Sequence, residues 1–356
     1  MARSRLARLR DGLRSKGLDA LLVSSLPNIR FLTRFSGSNA LLVVRRDRAV
    51  FLTDTRYALQ SREEVRRLRR IVTQGSLVEA AASHDLLRQC PRVGFEAHHV
   101  TFAQYRMLRR LFPRVEFRST ADLVEEVALT KDRDEIAQIE RAVKITDRVF
   151  SDLLPLLRPG VTEIDISAHI TYLHRRYGAD RDGFEPIVAG GERGALPHAR
   201  ATTRRFRKGE FVTLDFGCSV GGYHSDLTRT VALGRPSSEL RRAYAIVLEA
   251  QTGAIAAARA GMAACDLDAV ARTSITRAGL GKLFTHSLGH GLGLRLHERP
   301  RVSMVNREPL RAGSVITIEP GVYAPGKFGV RIEDVVLLTP AGSRQLSHAP
   351  KELIIL

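Results

Sequence analysis

A mixed α/β chain built as two domains is the fold this sequence predicts, on three observations. The 356 residues are enough for two hydrophobic cores of ordinary size. The first third alternates helical and strand periodicities. After two long helical stretches, the second half turns to strands, and several carry an acidic residue where a strand pattern is otherwise apolar. Composition agrees with a globular chain, at 44% hydrophobic and 26% charged residues with no low-complexity tract or tandem repeat.

The first domain follows from its local patterns. Leu6, Leu9, Leu13 and Leu18 form a helical stripe, and 20–23 is a short apolar strand. Residues 28–35 have no clear period and are expected to be irregular, ending at Ser36-Gly37-Ser38. Residues 40–44 and 49–53 form two strands joined by a charged turn. Residues 77–87 read as a helix, 92–95 as a strand, 101–111 as a helix capped by Thr101, and 115–117 as a strand. The change to longer helices puts the boundary near residues 120–130, giving domains 1–125 and 126–356.

In the second domain, 132–157 has apolar residues at helical spacing and stops at Arg158-Pro159-Gly160. Thr162, with Glu163 and Asp165, opens a helix to about residue 177, and 238–259 and 265–278 are helical as well. The stretch 211–230, FVTLDFGCSVGGYHSDLTRT, reads as a hairpin turning at Gly221-Gly222. That turn sets Asp215 opposite Thr228. Asp226, two residues from Thr228, then shares a sheet face with Asp215. Two carboxylates brought together repel, and a bound cation is the natural compensation.

Charge and cysteine content narrow the function classes. The chain has 56 Lys and Arg against 38 Asp and Glu, a net charge of +18, and only seven of the cations are lysines. The arginines are spread along the chain without interleaved aromatics and there is no Trp, which argues against a dedicated nucleic-acid surface. The densest clusters are 62–70 and 200–208. Cys90, Cys218 and Cys265 show neither CxxC spacing nor even pairing. The basic N-terminus lacks an uninterrupted apolar segment, so no signal peptide and a reducing cytoplasmic setting are expected. No run reaches the roughly 18 apolar residues of a membrane span.

Four more stretches place polar chemistry in strand contexts. IVAGGERGALPH (187–198) is a strand and glycine-rich loop delivering His198, and THSLGHGLGLRLHE (285–298) sets His286, His290 and His297 among glycines. VITIEPGV (315–322) puts Glu319 at a strand end, and GVRIEDVVLL (329–338) puts Glu333 inside a strand. A lone strand glutamate is ordinarily solvated and a lone histidine ordinarily a satisfied polar residue. Several together are another matter, because buried charge is rare unless paired or metal-bound. Asp215, Asp226, Glu319 and Glu333 bring four negative charges and His290 a neutral imidazole, a set that two divalent ions neutralise and one does not. A carboxylate-rich shell suits Mn²⁺, with Co²⁺ or Zn²⁺ also tolerated. Such a centre activates water for attack on a carbonyl or phosphoryl group, and His198, His286 and His297 remain to move protons or bind an oxyanion.

The ordered motifs LDFG, SDLTRT, HSLGHGLGLRLHE, TIEPGVY and VRIEDVV together resemble the pita-bread metallopeptidases, in their proline-specific branch of aminopeptidase P and prolidase. NIRFLTRFSGSNALLVV and the strands after it resemble the creatinase-type N-terminal domain, so the resemblance covers nearly the whole chain. It implies a creatinase-like α/β domain followed by a pita-bread catalytic domain. It also implies that Asp215 chelates one metal, Asp226 and Glu333 bridge both, and His290 with Glu319 holds the other. Glu319 would also exchange protons with the attacking hydroxide. His198 and His297 would handle the scissile carbonyl and the substrate termini, His286 matches a further family histidine, and Arg331 and Tyr323 would support the site. The reaction implied is hydrolysis of an Xaa-Pro bond in a proline-containing peptide, whose amide nitrogen has no hydrogen to offer. A homodimer is implied as well.

Methionine aminopeptidases share the ligand set without such an N-terminal domain, and creatinase shares the fold without the ligands. Arg295 departs from the pattern, standing where relatives carry an acidic residue. Two other readings compete: hydrolysis of a different amide on the same fold, and a catalytically silent nucleic-acid-binding protein.

Overall fold

The structure is a computed structural model that describes residues 4–356. The first three residues, part of the N-terminus weighed above as a targeting element, lie outside it. The chain divides into two compact units, Met1–Ala128 and Leu129–Leu356.

The first unit is built on a six-stranded sheet with spatial order Arg69–Thr73, Ala49–Asp54, Ala40–Arg45, Ala20–Val23, Arg92–Glu96, Glu116–Thr120. Ala20–Val23 pairs antiparallel with Ala40–Arg45 and parallel with Arg92–Glu96, so the sheet is mixed. Leu22, Val43, Leu52 and Val93 of the sheet pack with Ala81, Leu87 and Leu108 in one core. Of residues 28–35, expected to be irregular, 28–33 belong to the helix Leu26–Thr33. Five of its residues are buried, Asn28 among them, so it shows no polar face for a period to reveal, and its opening signal is the proline in the first turn. The basic stretch 62–70 runs from the helix Ala58–Glu64 into the edge strand Arg69–Thr73. Charged side chains on an edge strand discourage unwanted pairing.

In the second unit helices pack against several small sheets. Val149, Phe150 and Leu153 of the helix Arg133–Leu153 join Ile166 and Ile170 of the helix Glu163–Arg176 against Val188, Val212, Leu214 and Leu227. The helices Ser238–Ala257 and Ala264–Arg277 pack through Val247, Ala254, Leu267 and Ala271 against Ile316, Ile318, Val330 and Val336. One sheet orders Leu227–Ala232, Phe211–Phe216, Ile187–Gly190, and a five-stranded sheet orders Glu298–Val302, Gly289–Gly291, Val315–Ile318, Asp334–Thr339, Gly342–Gln345.

The hairpin adopts the expected register, with Val220 opposite Tyr223 across the turn and Thr228 opposite Asp215. Glu333 differs from expectation. The stretch read as one strand is two, Phe328–Arg331 and Asp334–Thr339, and Glu333 sits in the break. There its backbone N–H donates to Thr228 O at 3.1 Å, joining the hairpin to the neighbouring sheet.

Candidate metal centre

Each acidic residue enters the site from the end of, or a break in, an extended segment. Asp215 lies on Phe211–Phe216, Asp226 just before Leu227–Ala232, Glu319 just after Val315–Ile318, and Glu333 in the break described above. His290 is the middle residue of the short strand Gly289–Gly291. Its two glycines are required by close approach: a Cβ on Gly289 would lie 2.0 Å from Thr317 O, and one on Gly291 2.2 Å from Arg299 O. Those neighbours leave room for backbone alone, which lets the His290 strand nest between Glu298–Val302 and Val315–Ile318.

The side chains converge. Among the described residues, Asp226, His290 and Glu333 each bring one ligand atom within 4.8 Å of the others. His290 Nε2 stands 3.3 Å from Glu319 Oε1 and 3.7 Å from Asp226 Oδ2. His290 Nδ1 lies 3.0 Å from Gly291 O, and a carbonyl only accepts, so Nδ1 carries the proton and the Nε2 lone pair faces the carboxylates. Burial holds His290 below its usual pKa and so neutral.

Three buried carboxylate oxygens, Asp215 Oδ1, Asp226 Oδ1 and Glu333 Oε1, have no hydrogen-bond partner among the described residues. An orphaned buried oxygen is costly, and three in one cluster beside an inward lone pair form a donor set that fits divalent cations. Burial, reinforced by Asp215 and Glu319, pushes Asp226 well above the usual carboxylate range. Burial and then Asp226 do the same to Glu333, and burial lifts Glu319 to about 7. Repelling carboxylates that retain protons are what such a cluster does without its counter-ions.

A surrounding layer orients these groups. Arg331, 3% exposed, donates from Nη2 to Asp215 Oδ2 at 2.5 Å, from Nε to Thr228 Oγ1 at 3.0 Å and from Nη1 to Tyr323 OH at 2.6 Å. Thr228 in turn donates to Glu333 Oε2 at 2.7 Å. Thr317 accepts from His290 N and donates to Glu319 Oε1, both at 3.1 Å. Behind them the buried Arg229 donates to the carbonyls of Thr228 and Glu333 and to Asp334 Oδ1, fixing the backbone that carries Glu333.

The remaining expected residues fall into two groups. His286 is beside Tyr323: Nδ1 donates to Ser287 O at 2.8 Å, so Nε2 accepts from Tyr323 OH at 2.9 Å. Burial, with Arg331 nearby, pulls His286 down to about 4, and both ring nitrogens are engaged. His198 and His297 lie exposed at the rim. The His297 ring packs edge-on against His290, with centroids 4.3 Å apart, and His198 is close enough to act electrostatically on His286, His297 and Glu319. Thr228, Thr317 and Arg229 were not picked out from sequence, although two of them sit in SDLTRT beside Asp226.

The profile of Metallopeptidase family M24 matches residues 137–340, and that of the Creatinase/Prolidase N-terminal domain matches residues 5–127. The chain belongs to metallopeptidase family M24 and carries a creatinase-type N-terminal domain. It is 40% identical over 352 residues to the uncharacterized peptidase YqhT of Bacillus subtilis, covering 99% of this chain and 100% of that one. Its fold superposes on an Xaa-Pro dipeptidase from Bacillus anthracis with a TM-score of 0.96 at 37% identity, covering 99% of each chain. It superposes on an X-Pro aminopeptidase from Thermotoga maritima with a TM-score of 0.90 at 34% identity, covering 96% of this chain and 100% of that one.

Proposed function

We propose that this metallopeptidase hydrolyses the Xaa-Pro bond of proline-containing peptides at a two-metal centre held by Asp215, Asp226, His290, Glu319 and Glu333. The observation that carries the reading is the set of buried carboxylates of Asp215, Asp226 and Glu333, each with an orphaned oxygen, together with a His290 Nε2 lone pair that faces Asp226 and Glu319. The likeness to proline-specific relatives supplies the substrate class. Divalent ions bound there, Mn²⁺ first by the donor set and Co²⁺ or Zn²⁺ as substitutes, would activate water at neutral pH and polarise the scissile carbonyl.

The protein's own groups do the rest. Glu319 takes a proton from the attacking water and returns it to the departing proline nitrogen. His198 and His297, on the rim, bind the scissile carbonyl and the charge that develops on its oxygen. Arg331 holds Asp215 and Tyr323 in place, and His286 accepts the Tyr323 hydroxyl proton so that this hydroxyl keeps one orientation. A reducing cytoplasmic setting belongs to the same reading, and three free cysteines are compatible with it. A homodimer belongs to the same reading and is checked by sedimentation.

A matched pair of substrates, an Xaa-Pro dipeptide and an Xaa-Pro-Yaa tripeptide, tests this on chelator-stripped protein with and without Mn²⁺. Metal-dependent cleavage is expected, and the ratio of rates separates dipeptidase from aminopeptidase. Metal uptake without cleavage of either would move the substrate to another amide.

A further inference from the structure

We infer that Glu163 is a positioning residue for His198, acting through the loop that carries it; the inference rests on the reading that His198 binds the substrate carbonyl. The loop leaves the strand Ile187–Gly190, makes the tight turn Gly191–Ala195 and brings His198 to the rim of the site. Among the described residues nothing hydrogen-bonds the His198 ring, so its place is set by the loop backbone. That backbone converges on one carboxylate.

Glu163 opens the helix Glu163–Arg176 and its side chain is fully buried. Oε1 accepts from Gly190 N at 3.0 Å, where the loop begins. Oε2 accepts from Thr202 N at 3.0 Å and Thr202 Oγ1 at 2.7 Å, where the loop ends. Arg193, within the loop, donates from Nε to both oxygens at 3.1 and 3.0 Å, and its Nη2 reaches Arg200 O at 2.5 Å. The helix adds two bonds of its own, from Glu163 N to Arg204 O at 3.1 Å and from Ile164 N to Thr202 O at 3.0 Å.

A buried carboxylate is tolerated when every lone pair is used, and a fully satisfied network admits one arrangement of its donors. Here the donors are the beginning, middle and end of the loop, with His198 between the middle and the end. On the other side Pro197 O accepts from Arg331 Nη1 at 3.4 Å, so the residue before His198 is tied to the group that holds Asp215. Because displacement of a substrate-contacting group by about 1 Å costs on the order of 10²-fold in rate, Glu163 sets turnover while touching neither substrate nor the metal cluster.

The test is a double-mutant cycle of Glu163→Gln and His198→Ala, read as kcat/KM on the better of the two proline substrates, with Mn²⁺ stoichiometry measured in each variant. Glu163→Gln is expected to lower kcat/KM by about 10- to 100-fold with metal uptake unchanged, and to add less than about 2-fold in the His198→Ala background. If Glu163→Gln leaves kcat/KM unchanged, or lowers it by its full factor in both backgrounds, the positioning role is overturned. If His198→Ala alone is fully active, the reading of His198 fails first and this inference with it. Should Glu163→Gln not fold, Thr202→Val, which deletes one of the loop-closing bonds, enters the same cycle with the same criteria.

Discussion

At the residue scale, the centre is governed by carboxylates that cannot all be ionised without counter-charge. Asp226, Glu319 and Glu333 all titrate above their unfolded values, Glu319 near 7. A carboxyl whose folded pKa is raised binds more protons folded than unfolded, so its stabilisation is complete below the unfolded pKa and is lost as pH rises through the folded one. His286, lowered to about 4, works oppositely, but only below its unfolded value of 6.5. Above pH 6.5 the carboxylates act alone. Chelator-stripped protein is therefore expected to lose stability from pH 6.5 to 8, and saturating Mn²⁺ to remove most of that loss, as urea unfolding at each pH would read. A stripped protein equally stable across this range would contradict the assignment.

Glu319→Gln keeps the shape and removes the carboxylate proposed both to hold a metal and to carry the proton, so kcat is expected to fall by about 10²- to 10⁴-fold in a folded protein, checked by steady-state kinetics at saturating Mn²⁺ beside circular dichroism. The carboxylates stood out in the sequence because charge in an apolar strand is conspicuous, and His290 because it stands in a glycine-rich run. Thr228 and Thr317 were not, because threonine is ordinary in strands and their role arises only where separate strands meet.

At the scale of elements, the hairpin register was readable because side chains alternate with period two and the turn length is fixed. Two features escaped that logic. The helix Leu26–Thr33 is short and buried, so it lacks the polar stripe that marks a helix. The break at Glu333 is set by its hydrogen bond to Thr228 O, a contact between residues far apart in the chain. The Glu163 network was hidden for the same reason, since Glu163 looked like an ordinary acidic residue of a helix first turn.

The strand Phe328–Arg331 meets the turn Gly191–Ala195 backbone to backbone, and a Cβ on Gly329 would lie 1.7 Å from Gly194 O. Gly329→Ala is expected to cost about 1–3 kcal/mol and to lower kcat/KM by moving the His198 loop. Thermal unfolding and kinetics on one preparation would check both, and wild-type values for both would contradict this account of the packing.

For the whole molecule, the metals are structural as well as catalytic on this account. An ion that binds only the folded chain stabilises it by about 2.7 kcal/mol at a hundred times its dissociation constant, so the melting temperature is expected to rise with Mn²⁺ and fall with chelator. The chain's net charge is +18, but some arginines are committed to contacts within the chain: Arg204 pairs with Glu192 and Glu210, and Arg229 is buried on Asp334. Any affinity for nucleic acid is expected to be non-specific and to weaken steeply between about 50 and 200 mM salt. Filter binding with two unrelated sequences would show it, and a salt-resistant preference for one of them would revive the nucleic-acid reading.

The central claim, that Asp215, Asp226, His290, Glu319 and Glu333 together hold two divalent ions, is tested most directly by titrating chelator-stripped protein with Mn²⁺ and following free Mn²⁺ by its paramagnetic resonance signal. The account predicts two ions taken up per chain, and loss of tight uptake in Glu333→Gln, with protons released in proportion at pH 7. Uptake of one ion or fewer per chain, or full uptake by Glu333→Gln, would contradict it.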